Sequence, residues 1–223
     1  MIVDGQSTDG TIETIKDIRP DAKIIIEKPG GKGKALKTGF ENSSGDLIVM
    51  MDADGSNDPG EMRQLIEPLL DGYEVSKGSR MLPGGGSDDM TLFRKFGNSI
   101  FVGLVNTIYG ANYTDLCYGY RAFKREALEE LKCNSSGFEI ETQQSIRIRK
   151  AGLKVIEVPS FEARRIHGES NLNSFKDGWR ILNVIAGEYL KKAEPERIYV
   201  DAAISKMEST DDKFKSSNNQ MHE

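Results

Sequence analysis

Two aspartates separated by one residue follow a short apolar run, and their types and spacing point to metal chemistry. Residues 47–51 are all apolar and lead directly into Asp52 and Asp54. A short apolar run bounded by turn residues predicts a buried β-strand, and side chains two residues apart on extended backbone point to one side. Ligands of open α/β sheets bind beyond the carboxyl ends of the strands. We therefore expect these carboxylates to hold Mg²⁺ or Mn²⁺ together with a substrate phosphate.

Two other interpretations of this acidic loop stay open on the motif alone. A calcium-binding EF-hand loop needs Gly at its sixth position and Glu at its twelfth. Counted from Asp52, these positions hold Asn57 and Arg63, which disfavours a calcium site. A solvated acidic turn without a ligand is the second alternative, because short motifs also occur by chance.

Composition and charge restrict the class of protein. The chain has 223 residues, 37% of them hydrophobic and 29% charged, which is typical of one α/β domain with a charged surface. Its formal net charge of −5 argues against a nucleic-acid partner. Cys117 and Cys133 make neither a zinc-ligand spacing nor a disulfide framework. No apolar run approaches the length of a membrane-spanning helix, so we expect a cytoplasmic protein, free or peripheral on the cytoplasmic face of a membrane.

Apolar runs and helical patterns alternate along the chain. Short apolar runs predict strands near residues 1–4, 23–27, 47–51, 73–78 and 153–158. Capped or amphipathic patterns predict helices near residues 10–18, 34–42, 59–70, 93–109, 139–150 and 174–192. This alternation predicts an α/β fold with a mostly parallel sheet flanked by helices, in a single domain over residues 1–195. Residues 196–223 are polar, and we expect them to form a disordered tail.

The helix predicted at residues 93–109 has a wide apolar stripe. Its apolar residues recur three or four positions apart: Phe93, Phe96, Ile100, Phe101, Leu104, Val105 and Ile108. We interpret this stripe as a core face, because such spacing is typical of a helix that packs on a protein interior. A helix that lies on a membrane surface is the alternative.

Seven segments form an ordered set of motifs. They are residues 3–11 (Val-Asp-Gly-Gln-Ser-Thr-Asp-Gly-Thr), 30–40, 52–54 (Asp-Ala-Asp), 78–80 (Gly-Ser-Arg), 114–123, 165–173 and 177–180. Together they resemble the inverting glycosyltransferases of family 2, which have the nucleotide-diphospho-sugar (GT-A) fold, and above all the dolichol-phosphate mannose synthase branch. Each segment alone is a weak signal, but the ordered set is specific.

The resemblance implies a fold and an activity. We expect a GT-A fold and metal-dependent transfer of a hexose from a sugar nucleotide, of the GDP-mannose or UDP-glucose type, to a polyprenyl (dolichyl) phosphate. A membrane surface or a membrane-anchoring subunit is an expected further partner. Members of the family begin with an additional strand and a loop that closes over the nucleotide, so we expect the first strand of the fold to be missing here. The chain also departs from the family at Gly5 and Gln6, where the family usually has Asp and Gly.

The resemblance assigns three residues to the nucleotide. Asp4 matches a contact to the base or ribose, with a strand-end cap as the alternative. Lys32 and Lys34 match contacts to phosphate or base, and a solvated loop is an equally good interpretation of both.

Three further residues are implied around the metal. Asp52 matches a contact to ribose or metal, Asp54 the direct metal ligand, and Ser56 a weaker third ligand. The metal would bridge the diphosphate oxygens and stabilise the charge that develops during bond cleavage.

Arginines at three positions match phosphate-binding positions. Arg80 and Arg94 correspond to residues that gather the acceptor phosphate, and Arg165 could join them or clamp the donor diphosphate. Planar guanidinium groups suit phosphate because two parallel donors match two oxygens. Each alone is more often a surface arginine, but three near one site would not be.

Acidic residues later in the chain are candidates for acid–base work. Asp115 would be the general base if the acceptor is a saccharide or lipid hydroxyl. If the acceptor is a lipid phosphate, the nucleophile is already anionic, and Asp115 would orient the sugar or an arginine. Glu139 and Glu141 could also line the site, with an exposed helix face as the alternative.

Two other classes of function are alternatives to a glycosyltransferase. A sugar-phosphate nucleotidyltransferase would have a Gly-x-Gly-x-Arg loop after its first strand, and the sequence has none. An inactive or regulatory homologue that binds a partner subunit is the non-enzymatic alternative, because the first strand of the family is expected to be missing.

Overall fold

Strands and helices alternate along most of the chain. The computed structural model describes residues 1–166 and 173–191. Its strands are β1 (Ile2–Asp4), β2 (Ile24–Ile26), β3 (Leu47–Met50), β4 (Val75–Ser79), β5 (Gly86–Ser87), β6 (Arg121–Lys124), β7 (Val155–Pro159) and β8 (Phe161–Glu162). Its helices are α1 (Thr11–Ile18), α2 (Lys32–Glu41), α3 (Met62–Leu70), α4 (Leu92–Tyr109), α5 (Arg125–Leu131), α6 (Ile140–Lys150) and α7 (Ser174–Leu190), with a 3₁₀ helix at Pro59–Glu61.

The larger sheet has the spatial order β3-β6-β4-β7. β4 and β7 pair in parallel, whereas β6 pairs antiparallel to both β3 and β4. Three strands therefore run in one direction and β6 runs against them, so the expected mostly parallel sheet has one reversed strand inside it. β1 and β2 form a separate parallel pair, and among the described residues neither β1 nor β3 has a strand partner on its second edge.

The larger sheet is a middle layer with helices on both faces. Ile48 and Met50 of β3 pack with Phe123 and with α5 and α6 on one face. Leu47 and Val49 pack toward α3 on the other face. A strand that is apolar at every position is buried on both faces, because successive side chains point to opposite sides. The same direction of β3, β4 and β7 brings their carboxyl ends to one edge of the sheet.

Helices α4, α6 and α7 form a further cluster beside this edge. Val105 of α4, Ile146 of α6 and Ile181 of α7 are buried against one another. Phe93 of α4 also contacts Phe175 of α7, with 5.7 Å between the ring centroids. The carboxyl ends of the strands therefore face two packed helices.

The expectation that the stripe of α4 is a core face is wrong for most of its residues. Its exposed members are Phe93, Phe96, Ile100, Leu104 and Ile108, and Leu92 at the start of α4 is exposed as well. Val105 and Asn98 are the buried positions of this helix. The contacts of α4 with α6 and α7 cover only a narrow side of the helix, so its apolar stripe is wider than the surface that buries it.

Local patterns found the long elements and missed several short ones. The helices expected at residues 139–150 and 174–192 are present as α6 and α7, with ends shifted by one or two residues. Strands β5, β6 and β8 and helix α5 were not predicted. β6 begins at Arg121, a fully buried charge that breaks the apolar pattern of a strand. The tail expected at residues 196–223 lies outside the described residues.

Phe123→Ala should lower the free energy of unfolding by about 3–5 kcal/mol, because a fully buried aromatic ring is replaced by a cavity. Urea denaturation measures this change. Leu92→Ala, at a side chain that is 87% exposed on α4, is the control and should change stability by less than about 0.5 kcal/mol. Equal losses in both variants would contradict the assignment of core and exposed face.

Candidate active site

One cavity of about 530 Å³ lies where the carboxyl end of β3 faces α4 and α7. Its wall contains six of the residues that the sequence analysis assigned to the site: Lys32, Asp52, Asp54, Arg80, Arg94 and Arg165. These residues come from α2, from the turns after β3, β4 and β8, and from α4. Folding therefore brings segments that are distant in sequence to one concave surface.

The turn after β3 presents both aspartates to this cavity. The Asp52 backbone N–H donates to Asn57 Oδ1 at 2.9 Å, and the Ser56 N–H donates to Asp54 Oδ1 at 3.0 Å. The pKa of Asp54 lies below its ordinary value. Burial alone would raise it, but the hydrogen bonds from Ser56 and the charge of the nearby Arg165 have the larger effect. Asp54 is therefore an ionised carboxylate on the cavity wall.

Lys32 lies between two carboxylates. Its ammonium is 2.7 Å from Asp52 Oδ1 and 2.6 Å from Glu141 Oε1. Burial would lower the pKa of Lys32, but Glu141 and Asp52 raise it above its ordinary value, so the amine stays charged. The absence of a side chain at Gly119 leaves room for the Lys32 ammonium, because a Cβ there would clash with Lys32 Nζ at 2.6 Å. Glu141 thus lines the cavity, whereas the cavity wall does not include Glu139.

Arg165 links the metal motif to the segment after β5. Its Nη1 is 3.5 Å from Asp54 Oδ2, and its Nη2 donates to Asp89 Oδ2 at 2.9 Å. Asp89 was missed by the sequence analysis, since it lies in a loop without a recognisable pattern. Most of the motif expected at residues 165–173, from residue 167 to residue 172, lies outside the described residues.

Arg80 and Asp115 form a buried, bidentate ion pair. Arg80 Nε donates to Asp115 Oδ2 at 2.7 Å, and its Nη2 donates to Asp115 Oδ1 at 3.0 Å. Arg80 Nη1 also donates to Glu162 Oε2 at 3.0 Å. Burial would raise the pKa of Asp115, but Arg80 lowers it below its ordinary value. Asp115 has no exposed surface and lies behind Arg80, which itself lines the cavity.

Asn98 is a cavity residue that the sequence analysis missed. Its Oδ1 accepts hydrogen bonds from the Leu116 and Cys117 backbone N–H groups, each at 3.2 Å. These two donors fix the orientation of the amide, and Asn98 Nδ2 is buried without a partner in the described structure. The available signal was its spacing: Asn98 follows Arg94 by four residues, so both occupy one face of α4. A buried donor without a partner is a natural contact for a ligand oxygen.

Besides Asp115 and Glu139, three predicted site residues do not line the cavity. Asp4 accepts hydrogen bonds from the Ser7 backbone N–H at 2.8 Å and the Ser7 hydroxyl at 2.6 Å, as a cap of its turn does. The ammonium of Lys34 is 2.9 Å from Glu27 Oε1. Ser56 is buried, and its backbone and side chain form hydrogen bonds with the Asp54 carboxylate. Their proposed contacts with nucleotide or metal remain predictions.

The donor set fits a hard divalent cation that is shared with a substrate. Within residues 1–166 and 173–191, no group of three or more His, Cys, Asp or Glu side chains is arranged as a complete metal site. Asp52 and Asp54 nevertheless both face the cavity. Mg²⁺ is commonly held by one or two carboxylates together with water and substrate phosphates. Two carboxylates on a cavity large enough for a substrate match that pattern.

Comparison with known proteins identifies the family. The model of Glycosyl transferase family 2 matches residues 1–132, which is more than half of the chain. The chain belongs to this family. The recognition made from the ordered motifs is thereby confirmed.

Curated relatives of this family 2 protein are glycosyltransferases. Glycosyltransferase AglJ of Haloferax volcanii is 33% identical over 183 residues, covering 80% of this chain and 58% of the relative. Dolichol-phosphate mannosyltransferase of Pyrococcus furiosus is 32% identical over 177 residues, covering 77% of this chain and 50% of the relative. The chain thus spans about half the length of the curated relatives that it matches.

Solved structures confirm the expected GT-A fold. Glucosyl-3-phosphoglycerate synthase from Mycobacterium tuberculosis, in complex with phosphoglyceric acid, matches with a TM-score of 0.65 and 20% identity, covering 90% of this chain and 73% of that chain. The same enzyme with Mn²⁺, UDP-glucose and glycerol 3-phosphate matches with a TM-score of 0.63 and 22% identity, covering 84% and 68%. At this level of identity the likeness concerns the fold.

Proposed function

We propose that this family 2 protein transfers a hexose from a sugar nucleotide to a polyprenyl phosphate, with a divalent metal and with inversion at the anomeric carbon. One observation carries the proposal: a single cavity contains both a carboxylate pair suited to a metal-bound diphosphate and two arginines suited to an anionic acceptor. Donor and acceptor would therefore meet in one enclosed space, as direct displacement requires.

The charge of the cavity wall supports metal dependence. Its described lining contains six carboxylates and four cationic side chains. A nucleoside diphosphate would add further negative charge beside Asp52 and Asp54, which those carboxylates would repel. A metal bound by Asp52 and Asp54 would supply the missing positive charge and stabilise the departing diphosphate. The complex of the synthase from Mycobacterium tuberculosis with Mn²⁺ and UDP-glucose supports a donor and metal of this kind.

Arg80, Arg94 and Asn98 favour an anionic acceptor. Arg80 is held in place by Asp115 and Glu162, so its guanidinium is oriented before an acceptor binds. The buried Nδ2 of Asn98 would gain a partner from an acceptor oxygen, which removes the cost of an unpaired donor. The similarity to the dolichol-phosphate mannosyltransferase of Pyrococcus furiosus supports a polyprenyl phosphate.

A phosphate acceptor also accounts for the environment of Asp115. A phosphate monoester is already anionic at neutral pH and can attack the anomeric carbon without a general base. Asp115 has both oxygens bound by Arg80 and no exposed surface from which to take a proton. We therefore assign Asp115 to the orientation of Arg80. The alternative of a hydroxyl acceptor with Asp115 as general base lacks this geometric support.

The helices beside the cavity favour an acceptor that arrives from a lipid surface. Within the described ranges, no helix is both long and apolar enough to cross a membrane. The exposed apolar side chains of α4 and α7 lie next to residues of the same helices that line the cavity. This exposed group includes Leu92, Phe96, Ile100, Phe175 and Trp179. Lys95 and Lys176 add positive charge to the same helices, which complements anionic headgroups.

Release of nucleoside diphosphate from GDP-mannose or UDP-glucose should require both Mn²⁺ and a polyprenyl phosphate. Asp54→Ala should reduce this release by about 100-fold or more, because one metal-holding carboxylate is lost. Asp21→Ala, at an exposed surface pair with Arg19, is the matched control and should leave the rate unchanged. Release without metal, or full activity in Asp54→Ala, would overturn the proposal.

Asp115→Asn should weaken transfer to polyprenyl phosphate, chiefly through a higher KM for that acceptor, without abolishing it. The rate should fall as the pH drops below about 6, where a phosphate monoester takes up its second proton. That inflection should be the same in wild type and variant, because the lowered pKa of Asp115 keeps its carboxylate ionised in this range. Complete loss of transfer, with a saccharide or lipid hydroxyl as the working acceptor, would favour the general-base alternative.

The double variant Leu92→Ser/Phe96→Ser should bind less to phospholipid vesicles that contain anionic lipid, because it removes two exposed apolar side chains from α4. Vesicle co-sedimentation measures the bound fraction. Ile18→Ser, at a side chain that is 72% exposed on α1, is the control. Wild-type protein that stays in solution with such vesicles would exclude the lipid surface.

A further inference from the structure

The loop that carries Asp115 is held by a buried ion pair behind the cavity. The ammonium of Lys77 in β4 is 3.1 Å from Glu157 Oε1 in β7. Lys77 is fully buried, and the Glu157 side chain is 9% exposed. Neither residue belongs to the wall of the cavity. The pair was not singled out by the sequence, since a lysine and a glutamate in separate strands carry no local signal.

Glu157 is directed at the backbone of this loop. Its Oε2 accepts hydrogen bonds from the Thr114 N–H at 2.6 Å and from the Thr114 hydroxyl at 2.7 Å. Its Oε1 accepts a longer bond from the Asp115 N–H at 3.4 Å. One carboxylate therefore holds two successive residues of the loop, immediately beside the pair of Asp115 with Arg80.

Lys77 contacts the same loop. It donates to the Asp115 carbonyl oxygen at 3.0 Å, and its ammonium lies 3.9 Å from the centroid of the Tyr113 ring. The Thr114 hydroxyl is also 2.6 Å from the Ser79 hydroxyl. Lys77 and Ser79 are two residues apart in β4, so their side chains leave the strand on one side. Arg80 is the next residue after Ser79, so the loop and the Arg80 guanidinium are both attached to the end of β4.

Strand register fixes the pair in place. β4 and β7 are parallel, with Lys77 directly opposite Glu157. The ladder between these strands therefore holds the backbone of the two residues side by side. Burial lowers the pKa of Lys77 to about 8, since the interior disfavours the ammonium more than Glu157 favours it. Buried ion pairs commonly stabilise a fold no better than apolar residues of similar volume. Stability is thus a poor explanation for this pair, whereas its directional bonds to one loop are specific.

We propose that Lys77 and Glu157 are positioning residues that fix the turn at Thr114 and Asp115 and thereby aim the Arg80 guanidinium at the acceptor phosphate. The inference rests on the proposed role of Arg80 as the phosphate contact. It goes beyond that role, because it assigns the orientation of the Arg80 guanidinium to two buried residues that do not contact the substrate.

Glu157→Gln should raise the KM for polyprenyl phosphate at least about tenfold, because small displacements of a positioned group are costly. The KM for the sugar nucleotide should stay within about twofold of wild type, because Asp52 and Asp54 lie on the separate turn after β3. Steady-state kinetics with each substrate varied in turn gives both values. A merely structural role would change both constants alike or neither.

Glu188→Gln is the matched control. Glu188 is also a buried carboxylate, 2.7 Å from Arg147 Nη2, but it joins α6 to α7 away from the Asp115 loop. The Glu188→Gln variant should be less thermally stable than wild type, because a buried ion pair is broken. Its KM for the acceptor should not change selectively. An equal rise of the acceptor KM in both variants would overturn the inference.

A second pair of variants decides the question if Glu157→Gln does not fold. Thr114→Val removes the hydroxyl that bonds to Glu157 and nearly keeps the volume, whereas Thr114→Ser keeps the hydroxyl. The acceptor KM should rise in Thr114→Val and return toward wild type in Thr114→Ser. Equal values in the two variants would overturn the inference. Wild-type protein that shows no transfer to polyprenyl phosphate would instead refute the proposed function, so the two failures are distinguishable.

Discussion

The bidentate ion pair between Arg80 and Asp115 is the interaction on which the proposed acceptor side of the site depends. It joins the end of β4 to the loop before β6, and the contact of Arg80 with Glu162 adds β8. A buried guanidinium needs this much compensation, because a charge left unpaired in the interior is strongly destabilising. The requirement to pair the charge therefore also fixes where three segments of the chain lie.

The same arrangement recurs around the cavity. Three cations of its wall each contact two carboxylates from different segments: Lys32 with Asp52 and Glu141, Arg165 with Asp54 and Asp89, and Arg80 with Asp115 and Glu162. The wall is therefore highly charged, and each of these three cations is compensated by two carboxylates. A charged substrate that bound here would exchange places with ion-pair partners, and the receiving groups would already be oriented, which is the condition for electrostatic catalysis.

Local sequence signals were strong where one segment carries the whole feature. The apolar run before Asp52 predicted β3, because burial on both faces of a sheet requires an apolar residue at every position. β6 was missed for the opposite reason. Arg121 is fully buried there, and its guanidinium donates to the Glu141 carbonyl oxygen of α6 at 2.9 Å as well as to the nearby Leu116 and Tyr118 carbonyl oxygens. A strand stabilised by such tertiary hydrogen bonds leaves no apolar pattern to find.

The sequence by itself determined the family, the carboxylate pair and the arginines that line the cavity, because ordered motifs keep residue type and spacing together. Only the tertiary structure decided what each side chain meets. Asp115 is paired with Arg80, the buried amide nitrogen of Asn98 has no partner among the described residues, and most of the stripe of α4 is exposed. The physical reason is that pairing and burial depend on neighbours from distant segments, whose positions follow from the packing of all layers together.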